Sequence, residues 1–371
     1  MKYSVTLVYF LLLVTLPLNV TGIESISLAQ SNAPGYKIAF DESFAYVTNN
    51  DGVGVYDITD LTNTERIGQI NLAASGGIEI EDGILFIAAM SRGLVIANVS
   101  ESATNPSILS EFTLNDYITQ VCVIDTYAYV STGFGIIQIL DISDLSNPLD
   151  LGQLTVSGLT LALAVSGDVV YIAQPDSGLQ TIDASDMNSL QFHGLVGATS
   201  GARDMHIQGE YMYLARGTSG VDILDISNPL NPIILGNFND GGNSFGLHGD
   251  SHYICVADLH DGVEIVDVSD SANPVEITEY TDAAPHDLLY SDRYAYVADQ
   301  DDEFLLVDFT QEITEYDEST STGTSSSAST NTGSVPPFSP PSTLIMLGMV
   351  GVLSAATIII LIHIKKRKTS H

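Results

Sequence analysis

The sequence predicts an all-β chain: a seven-bladed β-propeller of four-stranded blades, with an N-terminal signal peptide before it and a C-terminal transmembrane helix after it. Three observations point there. A short motif returns seven times at near-constant spacing, each repeat carries the same strand-and-turn grammar, and two apolar segments close the chain ends with different flanks.

The motif is [Asp/Asn]-x-[Ser/Thr], starting at Asp57, Asn98, Asp141, Asp183, Asp225, Asp267 and Asp308. A period of about 40 to 45 strand-like residues is the signature of a propeller with one four-stranded sheet per repeat. Within a repeat, "VCVIDTYAYV" (121–130) or "HDLLYSDRYAYV" (286–297) reads as strands a and b joined by a polar turn. "GIIQILDIS" or "GVEIVDVS" follows as strand c, and "LDLGQL", "IILGNF" or "VEITEY" as strand d after an Asn-Pro turn. The apolar runs of a, b and c are nearly continuous, as expected where both faces of a blade are covered. The segment "ESISLAQ" (24–30) looks like a strand d and is expected to complete the last blade, against a run ending near Tyr316. That pairing removes the free sheet edges.

Seven copies of one acid at the end of strand c cannot be seven active sites. Each Asp or Asn is expected to accept backbone N–H bonds from the residues just after it, in an Asx-turn that ends the strand.

The termini give the address. Residues 1–22 carry Lys2, an apolar run and small or β-branched residues, which reads as a secretory signal peptide. "TLIMLGMVGVLSAATIIILIHI" (343–364) has no formal charge and as a helix spans about 33 Å, enough to cross a bilayer. Lys365, Lys366, Arg367 and Lys368 follow at once, so residues 365–371 form a basic cytoplasmic tail and the body, 23–316, lies outside the cell membrane. The segment 317–342 is Ser/Thr-rich and then Pro-rich, a stalk that cannot bury apolar surface.

The net charge is −35, and outside the leader and tail only Lys37, Arg66, Arg92, Arg203, Arg216 and Arg293 oppose 46 acids. Such a body repels nucleic acid and anionic lipid and should collect cations. Cys122 and Cys255, on opposite sides of the predicted ring, are expected to be buried and unbridged. Stability must then come from apolar packing.

"GLVIANVS", "GIIQILDIS", "GLQTIDAS", "GVDILDIS" and "GVEIVDVS", with "YVA"-like strands upstream, resemble the LVIVD-repeat propellers over about residues 35–315. Tyr46-Val47-Thr48-Asn49 is similar to the signature of the YVTN propellers of archaeal surface layers. The resemblance implies a surface or secreted protein and the propeller fold, and names no activity. Arg203-Asp204 fits the usual start of strand a in that family.

Propellers bind at the channel mouth. Acids and imidazoles concentrate in the b–c loops of the first and last two blades, so the candidate binding residues are Asn49, Asn50, Asp51, Asp258, His260, Asp261, Asp299, Asp301 and Asp302, with His248, His286 and Asp287 from the d–a side. Carboxylates in Gly-rich loops suit a hard cation, and a calcium site is expected at Asp258, Asp261, Asp299 and Asp301. No nucleotide cofactor is expected, since Walker and dinucleotide patterns are missing from the sequence, and H-E-x-x-H is missing too. The main reading is a membrane-anchored binding or adhesion module that meets an extracellular protein or glycan through its acidic loop face. Two alternatives stay open: a hydrolase with paired carboxylates, Asp204 with Asp287, and a structural coat protein.

Asn98-Val99-Ser100 is also a glycosylation sequon, and a side chain committed to a turn is not free to carry a sugar. Peptide mass spectrometry of exported protein should find Asn98 unmodified; a glycan there would contradict its role as a strand cap.

Overall fold

The computed structural model describes residues 25–27, 35–72, 76–114, 116–187, 189–259 and 261–323. The chain divides into two units, Met1–Gly323 and Thr324–His371. The predicted signal peptide, the stalk beyond residue 323, the membrane span and the basic tail lie outside the described residues, as does His260. Among the described residues no helix is long and apolar enough to cross a membrane.

Seven four-stranded antiparallel sheets form the propeller, each with strands in the order a-b-c-d. The a strands, which line the channel, are Ile38–Phe40, Ile78–Glu81, Ile118–Ile124, Ala162–Ser166, Asp204–Gln208, Ser244–Gly249 and Pro285–Ser291 in blades 1 to 7. Strands b and c are buried almost throughout, while strand d is largely exposed, as in blade 5 where Ile233–Phe238 forms the rim. Tight a–b turns use left-handed residues: Asp82 and Gly83 have φ of 48° and 74°, which a two-residue hairpin turn needs at both central positions.

Among the described residues the apolar interior is split into seven clusters, and each straddles two neighbouring blades. Tyr171 and Tyr213 add hydroxyl donors across such interfaces, to the carbonyls of Pro229 (2.8 Å) and Asp250 (3.1 Å). Cys122 and Cys255 are buried and free, as expected.

Ring closure follows the expectation with one correction. Ser25–Ser27 pairs antiparallel with strand c of blade 7, Glu303–Asp308, and supplies its fourth strand. The run toward Tyr316 is no strand, however: Thr310–Gly323 is a helix, α1, which takes in the start of the predicted stalk. Asp308 accepts the Thr310 N–H at 2.8 Å and so caps a helix where its six counterparts end a strand. Ile313 on α1 is fully buried, Tyr316 donates to Asp267 Oδ2 (3.0 Å), and Asp317 pairs with Arg293 (3.0 Å).

A second closure device was invisible in the repeat pattern. Most blades start strand c with a left-handed glycine, such as Gly52, Gly93, Gly178 and Gly262, but blade 7 has Glu303 there at φ 64° and fully buried. Its carboxylate reaches blade 1, accepting from Asn49 Nδ2 (2.7 Å) and facing Arg66 Nε (3.4 Å). Gly54 makes the room, since a Cβ there would sit 2.2 Å from Glu303 Oε1.

All seven strand-c caps form. The N–H two residues on donates to Asp57, Asn98, Asp141, Asp183, Asp225, Asp267 and Asp308 at 2.8–2.9 Å. The hydroxyl and N–H of that following residue hold the Asp57, Asp141, Asp183 and Asp225 carboxyls below their ordinary range. Replacing Asp267 by Ala should cost about 1 kcal/mol in chemical denaturation. Asp267→Asn should retain most of that, because Asn98 makes the same bond in blade 2.

Candidate functional site

The start of each a strand reaches the channel mouth, and the seven places differ in chemistry. A depression of about 290 Å³ is lined by Tyr36 and Lys37 from blade 1, Gly76 from blade 2, Gln120 from blade 3, Leu161 from blade 4, Arg203 from blade 5, Phe245 from blade 6 and His286 from blade 7, with Asn50 and Met90 from b–c loops. Every blade contributes. Tyr36 and Phe245 stand edge-on to His286, with ring centroids 5.8 and 6.0 Å away, and the Tyr36 hydroxyl donates to Asn50 Oδ1 (3.1 Å).

Arg203 dominates the electrostatics of this mouth. Its guanidinium carbon lies 4.1 Å from the centre of the Phe245 ring, a cation–π contact. The other five basic residues of the described body each face a carboxylate, and among the described residues Arg203 alone does not. Its Nε is buried without a hydrogen-bond partner. Gly217 permits this seat, for a Cβ there would meet that Nε at 2.7 Å.

Below the mouth the throat is polar. Lys37 Nζ lies 3.4 Å from Asp204 Oδ1 and 3.2 Å from Asp287 Oδ1. The other oxygens of the two acids stitch neighbouring inner strands: Asp204 accepts the Leu247 N–H (3.1 Å) and Asp287 the Ile38 N–H (3.2 Å). Burial alone would lower the Lys37 pKa, but the two carboxylates outweigh it and hold the ammonium above its ordinary value. Asp287 is raised to about 6, by burial first and by Asp204, against the pull of Lys37. His206 and His248 lie with centroids 4.0 Å apart; burial lowers both, His248 to about 3, so both are neutral near pH 7. The His248 Nδ1 accepts the Tyr290 N–H at 3.2 Å. Glu79, raised by burial to about 8, accepts the Val123 N–H at 2.6 Å.

The predicted candidates divide between three places. Asn50 and His286 are in the mouth, and His248 and Asp287 in the throat, where Asp287 does meet Asp204 but with Lys37 held against both. Asn49 is buried and committed to Glu303 and Gln69, while Asp51 is exposed on its loop. Of the four carboxylates expected at a calcium site, Asp258 and Asp299 are buried, Asp261 is half-buried and Asp301 is exposed. Asp299 is buried and saturated by N–H groups of Asp301, Asp302 and Ala284, so it organises its own loop, and the Asp301 side chain stays exposed. Asp258 and Asp261 do approach one another, both presenting an oxygen to the space over Gly242.

Among the described residues the one group of three ligand-type side chains with atoms within 4.8 Å of each other is Asp240, Asp258 and Glu264, of which Asp258 alone was predicted. Sequence reading also missed Tyr36, Lys37, Arg203 and Phe245 as site residues. The usable signal was the place just before or at the start of each strand a, once per repeat.

The family and fold comparisons agree with this geometry. The LVIVD repeat matches residues 117–155, 157–197, 200–240, 247–282 and 286–310, which are blades 3 to 7. No curated protein matches the chain. Among solved structures, the computationally designed Ika8 protein is 13% identical, with 77% of this chain and 99% of that one covered at a TM-score of 0.59. The Cps50 (Swd1) β-propeller domain of Myceliophteria thermophila is 9% identical, with 75% and 98% covered at a TM-score of 0.61. At such identities the likeness is one of fold.

Replacing Lys37 by Met strands two buried carboxylates and should destabilise the propeller by about 3–5 kcal/mol. Asp287 already binds its proton more tightly than an unfolded Asp, so its contribution to stability falls as pH rises from about 4 through about 6. The Lys37→Met penalty measured by denaturant titration should therefore be smaller at pH 5 than at pH 8.

Proposed function

Because the chain belongs to the LVIVD-repeat family, a propeller that serves as an interaction scaffold, we propose that it is an exported binding module, held at the cell membrane by residues 343–364, whose channel mouth captures a carboxylate-bearing ligand. The observation that carries this reading is Arg203, a half-buried guanidinium stacked on Phe245 with no carboxylate of its own in a body so rich in acids. Guanidinium is suited to a planar carboxylate, and the ring of Tyr36, Phe245, His286 and Leu161 is suited to an apolar or aromatic body beside it. Such a group is carried by an extracellular protein or glycan. This moves the expected contact from the acidic loops to the mouth they surround.

A hydrolase built on Asp204 and Asp287 has less support. Both oxygens of each acid have structural partners, in Lys37 and in the backbone of the next blade.

Calorimetric titration of the full-length chain in detergent with phenylacetate and with glucuronate tests the reading. Saturable binding of either probe, weakened about tenfold or more by Arg203→Gln, is expected. No saturation with either, or equal binding by the variant, would refute it.

A further inference from the structure

Blades 5 and 6 place the same backbone under opposite charges. In blade 5 Arg216 directly follows strand b (Tyr211–Ala215), and its guanidinium faces Asp222 Oδ2 (2.6 Å) and donates to the carbonyls of Ala198 (2.7 Å) and Ser200 (3.3 Å). One repeat later, Arg216 becomes Asp258, Asp222 becomes Glu264 and Ala198 becomes Asp240. The register is unchanged: Asp222 stands opposite Leu214, two places before Arg216, and Glu264 opposite Val256, two places before Asp258. Where one blade has a cation clasped by an acid and two carbonyls, the next has three carboxylates whose oxygens lie within 4.8 Å of each other.

We propose that blade 6 binds a hard divalent cation, of the calcium class, between Asp240, Asp258 and Glu264, in the place that the Arg216 guanidinium fills in blade 5. Glu264 points to a ligand independently of the clustering. It is 1% exposed, and its Oε1 has no hydrogen-bond partner. Other buried carboxylates are compensated: Asp222 by Arg216, Glu303 by Arg66, Asp204 and Asp287 by Lys37, and Asp299 by three N–H groups. Three carboxylates are an all-oxygen set, which a hard cation prefers over zinc or copper. Asp258 also accepts the Asn243 N–H on Oδ2 and the Asp261 N–H on Oδ1 (3.2 Å), which fix its carboxylate and leave each oxygen a further lone pair, and Gly242 leaves room for it, since a Cβ there would stand 2.2 Å from Oδ2. None of the three ligands lines the mouth, so this site is separate from the anion site proposed above.

The experiment is calorimetric titration of the chelator-treated, full-length chain in detergent with calcium chloride at pH 7. One saturable site that survives high salt is expected, with Tm raised on the order of 5 °C at a hundredfold excess over Kd. Glu264→Gln and Asp240→Asn should each weaken binding about tenfold or more. Phenylacetate binding at the mouth should stay as in the parent in both variants. Asp240 is exposed, so Asp240→Asn folds even if the buried change does not. Absence of a saturable site, or binding unchanged in Asp240→Asn, would overturn the proposal.

Discussion

Each blade presents apolar residues on both faces, and every one of those faces must be covered by a neighbour. An open row of blades would leave two faces wet, so the array is stable only as a ring. The interface between blades 7 and 1 is the one on which this depends, because blade 7 is assembled from both ends of the propeller, with Ser25–Ser27 joined to Glu303–Asp308 by strand pairing alone. It is built from Ile38, Val47 and Tyr56 against Tyr296, Phe304 and Leu306. A fully buried side chain of this kind contributes about 1.5–3 kcal/mol, whereas a hydrogen bond contributes about 1. Packing therefore supplies the closing force. The three-residue strand Ser25–Ser27 and the Glu303 latch set its register. The latch carries its own cost, a non-glycine residue in the left-handed region, which only a well-determined surrounding can hold.

The same arrangement frees the centre for chemistry. With the apolar interior moved into the seven interfaces, the inner strands are left to carry polar groups. Lys37, Asp204, Asp287 and Glu79 could not sit at the middle of a single hydrophobic core without breaking it. Here they are buried in compensated sets. Because each blade contributes one position to the mouth, the ring reads out seven independent side chains on a backbone that hardly varies, and function can be rewritten there without touching the packing.

Legibility in the sequence tracked the range of the interactions. The caps from Asp57 to Asp308 are contacts between residues two apart, and a repeated motif exposes them directly. The blade count and the closing strand also follow from local pattern plus periodicity. The throat does not: Lys37 meets Asp204 and Asp287 across 167 and 250 residues. Acidic loops attracted attention as binding groups, yet Asp299 is acidic because its turn needs an acceptor for three N–H groups, and such a residue looks the same in sequence as a ligand. Glu264 was hidden for the opposite reason, inside the nearly continuous apolar run of strand c. Helix α1 was masked by its Ser/Thr-rich end, although Phe309 and Ile313, four residues apart, are the signature of one buried helical face.

Helix α1 also decides how the ring bears mechanical load. It continues directly from the strand that holds the closing register, so a pull on the chain beyond Gly323 would, without further contacts, peel that strand away first. Instead the helix is riveted sideways: to blade 6 through Tyr253 and Asp267, and to blade 7 through Arg293 and the burial of Ile313. The end of the closing strand is thereby fastened to two blades and not to one.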